Sequence, residues 1–117
     1  MAETSSKNSR CRIIVDAMGG DYAPQNAVIG AIDAYNEMND FELFLVGKKE
    51  EILSVIKSNK ISFDDTRIIH ADEIIEMGDS PTAAIKSKPN SSIVKGSQLV
   101  REGKADAFVS AGNTGAM

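Results

Sequence analysis

The sequence predicts an α/β fold, a doubly wound and mostly parallel sheet in three layers, with helices on both faces. Three observations lead there. The apolar runs at residues 11–16 (CRIIVD) and 41–46 (FELFLV) are short and nearly continuous, the pattern of strands buried on both faces. Longer stretches with apolar residues at helical spacing separate them. The resulting order, β-α-β-α-β-α-α-β, implies parallel strands joined by helical crossovers.

In chain order, the polar residues 1–10 read as a disordered lead. Residues 11–16 form a strand closed by the turn Ala17-Met18-Gly19-Gly20-Asp21. Pro24 suits the first turn of a helix, where its missing N–H would have had no partner. Ala27, Val28, Ala31, Ile32, Tyr35 and Met38 then give that helix one apolar face. The strand at 41–46 stops at Gly47, and residues 49–57 carry Ile52, Leu53, Val55 and Ile56 in a short helix. Residues 67–71 (RIIHA) predict a third strand, 72–77 a helical turn, and Ser80-Pro81 the start of a helix through Ser87. Ser91 or Ser92 caps a helix over 93–102 that ends at Gly103. The last strand is expected over 105–110.

With 117 residues the chain has room for one ordinary domain or a portion of a larger one. It is 42% hydrophobic and 26% charged, which excludes a disordered polymer. Its apolar runs are far shorter than the ~20 residues a membrane-spanning helix needs, and residues 1–12 lack the apolar stretch of a secretory signal. Thirteen Lys and Arg against seventeen Asp and Glu leave a net charge of -4, so nucleic acid is not expected as a partner. The single cysteine, Cys11, forms no internal disulfide and points to a reducing cytoplasm. It is expected to be a buried, structural thiol at the end of the sheet away from the site. The sequence stops two residues after Gly115, where such a fold would begin a helix over its newest strand. Met117 is therefore not expected to be a natural domain end, and residues 11–117 read as the N-terminal part of a single, truncated α/β domain.

Open α/β sheets bind ligands beyond the carboxyl ends of their strands, and three segments fall there: 16–21, 70–73 and 110–115. Gly112, Asn113, Thr114 and Gly115 allow backbone N–H groups to turn toward a ligand, with the Asn amide and Thr hydroxyl as added donors. A helix starting here favours a phosphate or a developing oxyanion; the alternative is a plain strand-to-helix turn capped by Asn113 or Thr114. Neither a Walker A loop nor Gly-x-Gly-x-x-Gly is present. Asp16 and Asp21 flank Gly19 and Gly20 and either orient a substrate or hold a cation, or Asp21 caps the first helix. His70, the only histidine, either moves a proton near neutral pH or is a hydrogen-bonded structural residue. No companions at metal-ligand spacing accompany it, so no metal or other cofactor is expected. Lys86, Lys88, Lys95 and Arg101 lie in a stretch whose one acid is Glu102. They either steer an acidic protein or anion toward the site or form a solvated helix face.

The run Asp16-Ala17-Met18-Gly19-Gly20-Asp21 resembles the opening signature of the bacterial phosphate acyltransferases, the PlsX family. His70-Ala71-Asp72-Glu73 with Met77 and Ser80-Pro81 resembles that family's second block. Ser91-Ser92 and the run Ala107-Phe108-Val109-Ser110-Ala111-Gly112-Asn113-Thr114-Gly115-Ala116 resemble its third. The resemblance spans residues 12–117 and is carried by three blocks in order, the first being the most diagnostic. It implies a cytoplasmic enzyme of phospholipid synthesis that transfers a fatty acyl group from acyl carrier protein to inorganic phosphate, yielding acyl phosphate. It further implies a homodimer, a fold akin to the isocitrate and isopropylmalate dehydrogenases, and peripheral membrane contact through the part of the family's longer chain that lies beyond Met117. On this reading His70 and Asn113 are the catalytic candidates. Asp16, Gly19, Gly20, Asp21, Gly112, Thr114 and Gly115 contact or position substrate, and Lys86, Lys88, Lys95 and Arg101 dock the carrier. The alternatives are a transferase of the same fold that uses coenzyme A thioesters and a non-catalytic module that binds phosphate or carrier.

Overall fold

A computed structural model of the chain describes residues 10–20, 22–74, 83 and 86–111. Strand β1 (Cys11–Asp16) leads into helix α1 (Gln25–Met38), and β2 (Phe41–Gly47) into α2 (Lys49–Ser58). A 3₁₀ turn (Asp65–Arg67) precedes β3 (Ile68–His70), after which come α3 (Ser92–Arg101) and β4 (Ala107–Val109). The four strands form one parallel sheet in the order β3-β2-β1-β4. The register sets Val15 beside Leu45 and Val109, and Leu45 beside Ile68.

Successive side chains of a strand point to opposite faces, and both faces here are apolar. On one face Leu43, Leu45 and Ile68 pack with Val28 and Ile32 of α1 and Ile52 and Ile56 of α2. On the other, Ile14 and Val46 are buried with Ala71 and Ala105, covered by Leu99 and Val100 of α3 and by Phe108. Among the described residues α1 and α2 lie on one side of the sheet and α3 on the other, which is why the strands read as nearly continuous apolar runs. Helix α3 lies close to β4 at Gly96, where a methyl group would overlap the Phe108 ring.

The chain terminates its helices by local means. Ser91 caps α3 by accepting from the Val94 N–H at 3.3 Å. Gly103 (φ 77°) closes it with two reversed bonds, Lys104 N–H to Leu99 O at 2.9 Å and Gly103 N–H to Val100 O at 3.1 Å. Pro24 stands one residue ahead of α1 rather than within it, its carbonyl accepting from the Val28 N–H at 2.9 Å.

Three expectations change. Residues 72–74 are extended, not helical: Glu73 bridges to Ser91, and its carbonyl and carboxylate accept from the N–H groups of Ser92 and Asn90 at 3.2 and 2.9 Å. Tertiary pairing with the start of α3 outweighs the local helical preference there. Strands β3 and β4 are each three residues long, shorter than the expected 67–71 and 105–110, and among the described residues they stand at the two ends of the strand order. Cys11 is exposed rather than buried. The helix expected over residues 80–87 falls largely outside the described residues, among which Ala83, Lys86 and Ser87 are helical. No helix among the described residues is long and apolar enough to cross a membrane.

Candidate functional site

The strand order reverses between β1 and β4, so their carboxyl ends open the crevice in which a sheet of this kind takes its ligand. Asp16 ends β1 and is 2% exposed. Each of its carboxylate oxygens has a donor: the Met18 N–H reaches Oδ1 at 2.9 Å, and the Ser110 hydroxyl reaches Oδ2 at 2.7 Å. These charge-assisted bonds compensate the removal of the carboxylate from water.

Beyond Asp16 the backbone turns at Gly20, whose φ of 95° lies in the region that L side chains rarely adopt. A Cβ there would stand 3.5 Å from the Ala111 Cβ, an ordinary contact, so backbone conformation rather than space demands the glycine. Gly19, Gly20 and Ala111 line an open cleft of about 280 Å³ together with Tyr22, ahead of α1, and Asn26 in its first turn. Tyr22 is 74% exposed. The first turn of α1 carries no acidic residue and Pro24 supplies no side-chain cap, so the positive end of the helix dipole faces this region.

His70 lies on the same rim but at the end of β3. Its register partner is Gly47, whereas Asp16 is beside Val46, so β2 separates the two by about 10 Å. The His70 Nδ1 accepts from the Lys49 N–H at 3.2 Å and so caps α2, whose own N-cap residue, Lys48, makes no side-chain cap bond. In the neutral ring this leaves the proton on Nε2, as a donor. Lys95 Nζ donates to the His70 carbonyl at 2.9 Å and Lys88 Nζ to the Ile74 carbonyl at 2.8 Å, fastening residues 70–74 to the α3 side of the sheet. Lys86 and Arg101 are exposed. Among the described residues no three His, Cys, Asp or Glu side chains gather as a metal-binding group.

A family described as "Fatty acid synthesis protein" matches residues 11–117. The chain belongs to that family. It is 48% identical over 106 residues to the phosphate acyltransferase of Dictyoglomus turgidum, covering 91% of this chain and 31% of that protein. It is 43% identical over 106 residues to the phosphate acyltransferase of Caldanaerobacter subterraneus, again over 91% and 31% of the two chains. With the phosphate acyltransferase of Acetivibrio thermocellus it shares 48% over 107 residues, 90% of this chain and 31% of the relative. The chain thus spans about a third of the length of the curated relatives it matches.

Within this family member, the structure brings Asp16, Gly19 and Gly20 to the crevice and keeps His70 two strands away. Asp21, Gly112, Asn113, Thr114 and Gly115 lie outside the described residues. The sequence places Ser110 on the rim, within residues 110–115, but gives it no role. This serine stands 94 positions from Asp16, and only the parallel pairing of β1 with β4 brings the two together. A signal was present: a buried carboxylate needs a donor, and a hydroxyl at the tip of the neighbouring strand is one.

Proposed function

We propose that the chain is the part of an acyltransferase that carries its phosphate crevice, in an enzyme moving a fatty acyl group from acyl carrier protein to inorganic phosphate. Membership of a fatty acid synthesis family and identity of 43–48% to proteins named phosphate acyltransferase support the reaction class. The observation that carries the reading to this site is the cleft at the β1–β4 switch point, with its bare Gly19-Gly20 backbone and the start of α1 beside it.

The chemistry asks little of the side chains. A phosphate oxygen is already a competent nucleophile, so no Ser or Cys intermediate is needed. It bonds to the thioester carbonyl carbon, the C–S bond of the tetrahedral species breaks, and the carrier leaves as a thiol once its sulfur takes a proton. The protein's work is to hold phosphate beside the thioester and to offer donors to the developing oxyanion. In this reading the Gly19-Gly20 backbone and the Gly112–Gly115 loop surround phosphate, Asn113 donates to the oxyanion, and Asp21 and Thr114 position their neighbours. His70, with Nδ1 engaged by Lys49, serves as an Nε2–H donor that orients the substrate from two strands away. The carrier is acidic and docks on Lys86, Lys88, Lys95 and Arg101. The homodimer, the cytoplasmic setting and the peripheral membrane contact belong to the same proposal for the intact enzyme.

The test uses the protein from the intact reading frame and a long-chain acyl carrier protein, with and without phosphate. The expected result is release of free carrier only when phosphate is present, with acyl phosphate formed in equal amount. Binding of the carrier with no release would instead assign a binding module. Turnover of acyl-coenzyme A but not of acyl carrier protein would assign a coenzyme A transferase of the same fold.

A further inference from the structure

We infer that Asp16 and Ser110 form a latch across the switch point, acting as positioning residues that set the width of the phosphate crevice rather than touching phosphate. The inference rests on the acyl-transfer reading above and assigns Ser110, a residue that reading does not use.

Four observations lead to it. Asp16 is buried, and both of its carboxylate oxygens already accept hydrogen bonds. A carboxylate so engaged is poorly placed to act as a base, and its charge would repel phosphate. The Oδ1 bond to Met18 N–H shapes the turn that leads to Gly19 and Gly20, one wall of the cleft. The Oδ2 bond to Ser110 reaches the residue directly before Ala111, the opposite wall. Finally, β4 is three residues long, and among the described residues its pairing is with β1.

Backbone pairing between β1 and β4 ends at Val15 and Val109. Beyond that point the Ser110 hydroxyl extends the connection between the two strands by one further residue. Donors that must meet a phosphate and a thioester work only if their spacing is fixed before the substrates arrive. One carboxylate reaching into both walls fixes that spacing, and its burial keeps water from competing for the bond.

The experiment measures steady-state kinetics of phosphate-dependent carrier release in the intact enzyme. Its variants are S110A, S110T, D16N and the double variant D16N/S110A, each checked for folding by its thermal midpoint. S110A is expected to raise KM for phosphate about ten- to a hundredfold, since small misplacements of a binding group have effects of that order. KM for the acyl carrier should stay within about twofold. S110T, which keeps the hydroxyl, should recover most of the loss. Because the two residues act through one bond, the double variant should be no worse than the poorer single variant.

A residue with only a structural role would lower the thermal midpoint without separating the two KM values. That result, or an S110A enzyme indistinguishable from the parent, overturns the latch. Additive losses in the double variant overturn it as well. If S110A does not fold, S110C decides: its thiol keeps the size of the side chain but is only a weak donor to the Asp16 carboxylate, and an unchanged KM for phosphate refutes the inference. A parent enzyme that is folded but releases no carrier with phosphate defeats the acyl-transfer reading itself, and this inference with it.

Discussion

His70 shows how a residue that looks catalytic in a sequence acquires a structural duty in the fold. Its ring nitrogen replaces the missing side-chain cap of α2, a bond that joins a strand end to a helix start 21 residues earlier. His70→Ala is therefore expected to lower stability by about 0.5–1 kcal/mol, the usual worth of one such bond at a solvent-accessible position. Urea unfolding would read this as a lower midpoint at unchanged slope, and an unchanged midpoint would contradict the capping role. The two readings of His70 that the sequence left open are separable for this reason: stability reports the cap, and turnover reports any part in catalysis. The residues at the turn after β1 were legible because glycine pairs and carboxylates carry a local chemical signature. Ser110 was not, since one serine among many gains meaning only from the strand that pairing sets beside it.

At the scale of elements, an ion pair holds the amino ends of β1 and β4 together at the end of the sheet remote from the crevice. Asp106 accepts from the Arg12 N–H at 2.8 Å and from Arg12 Nε at 3.2 Å, while the Asp106 N–H donates to the Arg12 carbonyl at 2.8 Å. Hydrogen bonds from the Arg12 side chain and backbone, reinforced by its charge, hold the Asp106 carboxyl below its ordinary value of 3.8. A carboxyl lowered on folding stabilises the native state above the unfolded value and loses that contribution as pH falls through the folded one. Wild-type stability should thus decline below about pH 4 in part through this group, and Asp106→Asn should flatten the decline. Thermal midpoints of both proteins between pH 5 and pH 2.5 check this, and parallel curves would contradict it. The strands and the three main helices were legible because each presents a continuous apolar run or an apolar stripe. The extended segment at 72–74 was not: its order comes from pairing with Ser91, 18 residues beyond Glu73, and no local pattern encodes that.

For the whole molecule, the strand order turns three sequence blocks into one rim. Alternating strands and helices allowed parallel pairing and helices on both faces to be read in advance. The position of β4 beside β1, rather than beyond β3, could not be read from periodicity, and it is this placement that creates the crevice. Phosphate is proposed to bind there. Amide hydrogen exchange of the protein from the intact reading frame, with and without inorganic phosphate, tests it most directly. Slowed exchange is expected in peptides containing Gly19-Gly20 and Ala111, with little change at the start of α2 near Lys49. Protection confined to other regions, in an enzyme that still needs phosphate for turnover, would contradict it.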